Sequence, residues 1–225
     1  MKNCINIKSN QNAKLYKLQG EKMKKFYITC LIFMSTLIAA EVDSTTDQCE
    51  ATNDITTEKV FTKDFSGTFN GQKLNYTASL KEKILYEKDN PKAELASFYY
   101  SEYIVSSDEN RPIMFIFNGG PGSASLWLHM GVLGPKIVKV PSDASDDGSP
   151  PYNIIDNNLS PLSETDMVFI DPIGTGYSRA LGCHDGEEFW GVNEDPKIIA
   201  EFIRRWITDN KRWNSPRYIL GESYG

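Results

Sequence analysis

The chain is poor in the residues that hold metals. Two histidines and four cysteines are spread through 225 residues, without a CxxC pair, so no spacing gathers the donors of a four-ligand zinc site. It also lacks a basic stripe. Seven lysines fall in the first 25 residues beside one acid, Glu21, and the other 200 residues carry 17 basic and 29 acidic side chains, a net of −12. A body of that charge repels nucleic acid. No apolar run reaches the ~20 residues that a bilayer-spanning helix needs, so no stable membrane partner is expected. Glycine turns are present, but none continues as GK[ST], and the one GTG lacks the third glycine of a dinucleotide fingerprint. No cofactor is expected, and the sequence is silent on oligomeric state.

What is present suits one packed core. Hydrophobic residues make up 40 % and aromatics 12 %, enough for a sizeable globular domain rather than disorder. From Met23 the chain reads "MKKFYITCLIFMSTLIAA": lysines, an apolar stretch, then small residues, the order of a secretory signal. Residues 23–40 are therefore expected to be a signal peptide and the mature protein to be secreted or periplasmic. An uncleaved membrane anchor is the alternative, weakened because Thr29, Ser35 and Thr36 interrupt the run. The polar, Asn/Lys-rich residues 1–22 read as an upstream extension, with Met23 as the start. After cleavage only Cys49 and Cys183 remain, and an exported protein can oxidise them, to each other or to partners elsewhere.

Residues 41–58 are a polar, acidic linker, and residues 59–225 carry the periodic pattern of a domain. "FSGTFNGQKLNYTASL" places Asn70-Gly71 between alternating segments, which predicts a hairpin. "LASFYYSEYIV" and "IMFIFNGGPG" follow, the second without alternation, as in a strand buried on both faces. Apolar residues from Leu126 predict a short helix closing at Gly134-Pro135. "EDPKIIAEFIRRWITDNKRW" carries a 3.6-residue stripe of Ile198, Ile199, Phe202, Ile203, Trp206 and Ile207, with Asp195-Pro196 expected as cap and first turn.

Three strands run directly into glycine turns: "FNGGPGSAS", "DPIGTGYS" and "GESYG". Strands alternating with helices predict a doubly wound α/β sheet, whose sites lie at the carboxyl ends of the strands, so the three turns are candidates to converge. In GESYG, glycines on both sides of Ser223 permit the sharp turn that exposes a nucleophilic hydroxyl. A GxSxG arises by chance in roughly one such chain in fifteen, so it is weak alone. NGGPG arises on the order of once in several thousand; its bare backbone N–H groups are what a tetrahedral oxyanion requires. DPIGTGYS is either a second loop lining the site or a structural turn. His129 and His184 have the chemistry of general bases, but a loop or surface role is the ordinary one for each.

These three motifs, in this order and at these separations, resemble the serine carboxypeptidases of the α/β-hydrolase fold, in the form of their bacterial secreted members. The resemblance runs from about Val60 to Gly225 and covers the family's N-terminal portion. It implies a mostly parallel doubly wound sheet with an N-terminal antiparallel hairpin, here incomplete, and peptide substrates with a free C-terminus. It implies Ser223 as nucleophile, the backbone N–H groups of Gly120 and Tyr224 as oxyanion hole, and Asn118, Gly119 and Glu222 as the grip on the substrate carboxylate. Two carboxylates share a site only by sharing a proton, so an acidic optimum is implied. The family's aspartate and histidine follow the nucleophile, so both are expected beyond residue 225 and this stretch alone to be catalytically incomplete. One departure concerns a second glutamate that many relatives carry just before LGP: here the stretch is "HMGVLGP", with Gly131 and Val132.

Overall fold

The computed structural model describes residues 57–105, 110–141, 143, 145 and 150–225. The upstream extension, the signal peptide, Cys49 and all but the end of the polar linker lie outside the described residues. Nine strands are found among them: β1 (Val60–Phe69), β2 (Gln72–Tyr86), β3 (Glu94–Ile104), β4 (Ile113–Asn118), β5 (Lys136–Val138), β6 (Ile154–Asp156), β7 (Asp166–Ile170), β8 (Arg179–Ala180) and β9 (Arg217–Glu222). A helical turn, α1 (Leu126–Leu128), runs on as a wider turn over His129–Leu133, and α2 spans Glu194–Asp209.

The hairpin forms where Asn70-Gly71 predicts it. Both residues take positive φ, +48° and +81°, as a two-residue primed turn needs, and Phe69 pairs with Gln72 across it. The main sheet has the order β1-β2-β3-β7-β4-β9, with β8 on β3. Its antiparallel part is wider than the expected hairpin: β3 pairs antiparallel with both β2 and β7, and only β7-β4-β9 is parallel. The chain leaves β4 to form β7 on one side and returns to form β9 on the other. That reversal makes the carboxyl end of β4 a switch point, where loops diverge and leave a crevice.

Two apolar layers sandwich the sheet. Along β7, Met167 and Phe169 join Phe69, Tyr76, Leu128 and Leu162 on one face, while Val168 and Ile170 join Phe98, Phe115, Phe202 and Trp206 on the other. This explains a strand sequence without alternation. The α2 stripe buries Ile198, Ile199, Phe202, Trp206 and Ile207, with Ile203 partly covered. Full burial of such side chains stabilises by roughly 1.5–3 kcal/mol each. The Trp206 indole N–H donates to Glu102 at 2.9 Å, and Lys81 pairs with the same buried carboxylate. The helix starts earlier than Asp195-Pro196 suggests. Asn193 stands at the cap position, because the Asp195 N–H already donates to the Gly191 carbonyl at 3.0 Å. The short helix ends at Leu133 before Gly134-Pro135, as expected, and the chain then enters β5.

Cys183 is disulfide-bonded; Cys49, one of the partners the sequence leaves open, lies outside the described residues. Among the described residues no helix is long and apolar enough to cross a membrane, and no three histidine, cysteine, aspartate or glutamate side chains converge as a metal site.

Candidate active site

Parallel pairing of β4 with β9 sets Asn118 beside Glu222, so the NGGPG and GESYG turns leave the sheet together. Ser223 has φ of +60°, a left-handed conformation that a non-glycine residue holds only at a cost of roughly 1–3 kcal/mol. The Gly225 N–H donates to the Glu222 carbonyl at 3.0 Å and closes the turn. A Cβ on Gly221 would overlap the Gly225 carbonyl group, and one on Gly225 would lie 2.8 Å from the Phe117 carbonyl oxygen. The glycines flanking the serine are therefore a steric requirement, as the sequence predicts.

The two turns are pressed together at Gly119. A Cβ there would overlap the Tyr224 backbone nitrogen and lie 2.5 Å from the Glu222 carbonyl oxygen. Gly120 follows with φ of +122° and a cis bond to Pro121, and Gly122 with φ of +97°; the Ser123 N–H donates to the Gly119 carbonyl at 3.0 Å. Asn118 is buried. Its Oδ1 accepts from the Leu128 N–H at 3.0 Å, which fixes the amide so that Nδ2 faces Glu222 Oε2 at 3.4 Å. Asn118, Gly119, Gly120, Glu222, Ser223 and Tyr224 thus occupy one locality, and the Tyr224 hydroxyl donates to Asp195 on α2 at 3.2 Å. An exposed hydroxyl beside bare backbone N–H groups can host attack on a carbonyl and hold the resulting oxyanion.

The third turn joins through residues that the sequence leaves unassigned. Asp171, directly after β7, accepts the Ser125 backbone N–H at 2.8 Å, and the Ser125 hydroxyl donates to the Ile170 carbonyl. An aspartate opening the "DPIGTGYS" motif was the available signal. Burial pushes its carboxyl above the usual range, offset in part by the Ser125 N–H.

Neither histidine is hydrogen-bonded to Ser223. His129 Nε2 bonds the Tyr103 hydroxyl at 2.6 Å and its ring stacks on Phe169 at 4.4 Å; burial pushes its pKa down to about 4. His184 lies between Glu188, at 2.8 Å, and Glu87, at 3.0 Å. The hydrogen bond to Glu188 leads the causes that raise its pKa, with Glu87 adding to it. In the "HMGVLGP" stretch, Val132 points an apolar side chain to solvent, and no atom lies within 4 Å of where a Gly131 Cβ would stand.

The sequence model of the serine carboxypeptidases matches residues 72–225, well over half of the chain. Serine carboxypeptidase-like 5 of Arabidopsis thaliana is 27 % identical over 135 residues, which are 58 % of this chain and 29 % of that protein. Serine carboxypeptidase-like 15 of the same plant is 28 % identical over 138 residues, 59 % of this chain and 30 % of that protein. The matched stretch thus spans less than a third of these relatives. A CIB-like hydrolase from Thermoplasma acidophilum overlaps 65 % of this chain and 53 % of its own at 19 % identity and a TM-score of 0.33, a loose likeness; the strand order and the family match carry the fold. On both, this chain has the α/β-hydrolase fold and belongs to the serine carboxypeptidase family.

Proposed function

We propose that the complete gene product is a secreted serine carboxypeptidase that removes C-terminal residues from peptides. The observation behind this reading is the junction of two turns: Ser223 at φ +60°, Gly119 against the Tyr224 nitrogen, and Asn118 Nδ2 within 3.4 Å of Glu222. Ser223 Oγ attacks the scissile carbonyl carbon while its proton passes to a base. The N–H groups of Gly120 and Tyr224 take the oxyanion, worth about 10²–10³ in rate per donor. The C–N bond breaks, the proton goes to the leaving amine, and water then hydrolyses the acyl-enzyme. Asn118, the Gly119 N–H and Glu222 hold the terminal carboxylate, Glu222 by sharing a proton with it. The histidine base and its aspartate come, in this reading, from chain outside these 225 residues, and the segment alone is inactive.

A second reading, an esterase or acyltransferase on the same scaffold, is favoured by one observation: in "HMGVLGP", the stretch where the family resemblance implies a second acid, this chain has Gly131 and Val132 and no acid. Release of the terminal residue from an N-blocked dipeptide by the complete gene product, against Ser223→Ala, from acidic to neutral pH, separates the two. Serine-dependent release supports the carboxypeptidase. An intact dipeptide with serine-dependent cleavage of a simple ester transfers the assignment to the second reading. Asn118→Ala and Glu222→Gln sharpen the answer, because the grip serves peptides with a free carboxylate and not esters.

A further inference from the structure

We infer that Asp171 and Ser125 form a two-point clamp that fixes the oxyanion loop, with Asp171 a positioning residue that acts through Ser125. The inference rests on the proposed role of the Gly120 N–H as an oxyanion donor.

The loop in question leaves β4 at Asn118 and reaches α1 at Ser125. Three of its residues, Gly119, Gly120 and Gly122, are glycines, so its own side chains do little to hold it. What holds it is Ser125, 2 % exposed. The Ser125 N–H donates to Asp171 Oδ1 at 2.8 Å, its hydroxyl donates to the Ile170 carbonyl, its Oγ accepts the Asn118 N–H at 3.4 Å, and its carbonyl accepts the His129 N–H at 2.9 Å. One serine therefore ties the start of the loop to its end and both to the end of β7. At the other end of this chain of contacts Gly119 abuts the Tyr224 nitrogen. Displacement of Ser125 is thus passed along a short, closed loop to the turn that bears Ser223.

The Asp171 carboxylate is itself held in place. A Cβ on Gly176 would overlap Asp171 Oδ2 and lie 2.8 Å from its Cγ, so the backbone of the third glycine turn packs directly against the carboxylate. Gly176 has φ of +51°, a second reason for glycine there. Asp171 makes no ion pair among the described residues. A half-buried acid that accepts a backbone N–H and pairs with no cation fits positioning better than charge neutralisation. In this scheme the "DPIGTGYS" turn, whose Asp171, Gly176 and Tyr177 also line a cavity with Ser125 and His129, supports the oxyanion loop from behind.

The test uses the complete gene product and an activated ester, because an oxyanion forms in any acyl transfer and the outcome then does not depend on peptide specificity. Wild type, Ser223→Ala, Asp171→Ala, Asp171→Asn and Gly176→Ala are compared for kcat, KM and melting temperature. Asparagine still offers an oxygen to the Ser125 N–H; alanine does not. The expected result is a fall in kcat of about 30–100-fold in Asp171→Ala, close to the loss of one oxyanion donor, with KM changed less than threefold. Asp171→Asn should recover to within about fivefold of wild type, and Gly176→Ala should fall with Asp171→Ala. A kcat for Asp171→Ala within threefold of wild type overturns the clamp, as does an asparagine variant no better than alanine. If wild type shows no serine-dependent turnover, the functional proposal fails and amide exchange decides the clamp separately. Faster exchange at residues 118–125 in Asp171→Ala, with the sheet unchanged, supports it, and unchanged exchange overturns it.

Discussion

Strands β7 and β9 flank β4, run parallel to it and each ends in a glycine turn at the same site, yet their surroundings differ. Every residue of β7 is buried, from Asp166 at 0 % to Phe169 at 2 % exposure, with β3 and β4 beside it and apolar layers on both faces. Most of β9 is exposed, Tyr218 at 55 % and Ile219 at 67 %, and among the described residues it has a neighbour on one edge only. Their sequences, "DMVFI" and "RYILGE", hardly announce this contrast. A strand's burial is set by its neighbours, while its use to the site depends on where it ends. β7 serves as the fixed reference, and β9 leads into the exposed turn of Ser223.

The largest effect expected is at the tip of β9. Ser223→Ala should lower serine-dependent ester turnover by the complete gene product at least about 10⁴-fold, measured at saturating ester, with little change in melting temperature. Next comes the entry to β7. Asp166 is fully buried between Arg111 at 3.1 Å and Arg212 at 2.9 Å and also accepts the Val105 N–H; Asp166→Ala leaves two guanidinium groups without their carboxylate and should cost about 3–5 kcal/mol in denaturant unfolding. Within the strand, Ile170→Ala should cost about 2–5 kcal/mol by the same measurement.

A smaller effect concerns the face of β7 on which His129 stacks. Its folded pKa is depressed to about 4 by burial. The stability it contributes is therefore present above its unfolded value near 6.5 and is lost as the pH falls toward 4, where only the unfolded chain takes up the proton. Melting curves between pH 7.5 and 4.5 should show a decline that His129→Gln makes shallower. The smallest effect is Ile219→Ala on β9 in the 225-residue chain, expected within about 0.5 kcal/mol for a position exposed there. A cost above about 2 kcal/mol in that chain would remove the contrast with Ile170.

Much of this was legible in local patterns. Asn70-Gly71 needs only its own positive φ values to make a hairpin, and the stripe from Ile198 to Ile207 needs only helical geometry to gather on one face. The cap of α2 was misplaced by two residues because helix starts depend on which N–H finds which carbonyl, and Asp195 found Gly191. The GxSxG pattern was likewise readable, although only the clash at Gly221 lies within the turn itself, while a Cβ on Gly225 would meet the Phe117 carbonyl of β4.

What the sequence by itself determined is the set of local conformations: the primed hairpin, the amphipathic helix, the strands without alternation and the glycine turns, each fixed by interactions a few residues apart. Only the tertiary structure decided which strands are neighbours, that β3 meets β7 antiparallel, that Asp166 finds arginines 55 residues earlier and 46 later, and that Asp171 reaches back 46 residues to Ser125. Those contacts carry no periodicity. They exist because strand order brings distant carboxyl ends to one edge of the sheet, where a buried polar group must find a partner from whatever segment the fold delivers.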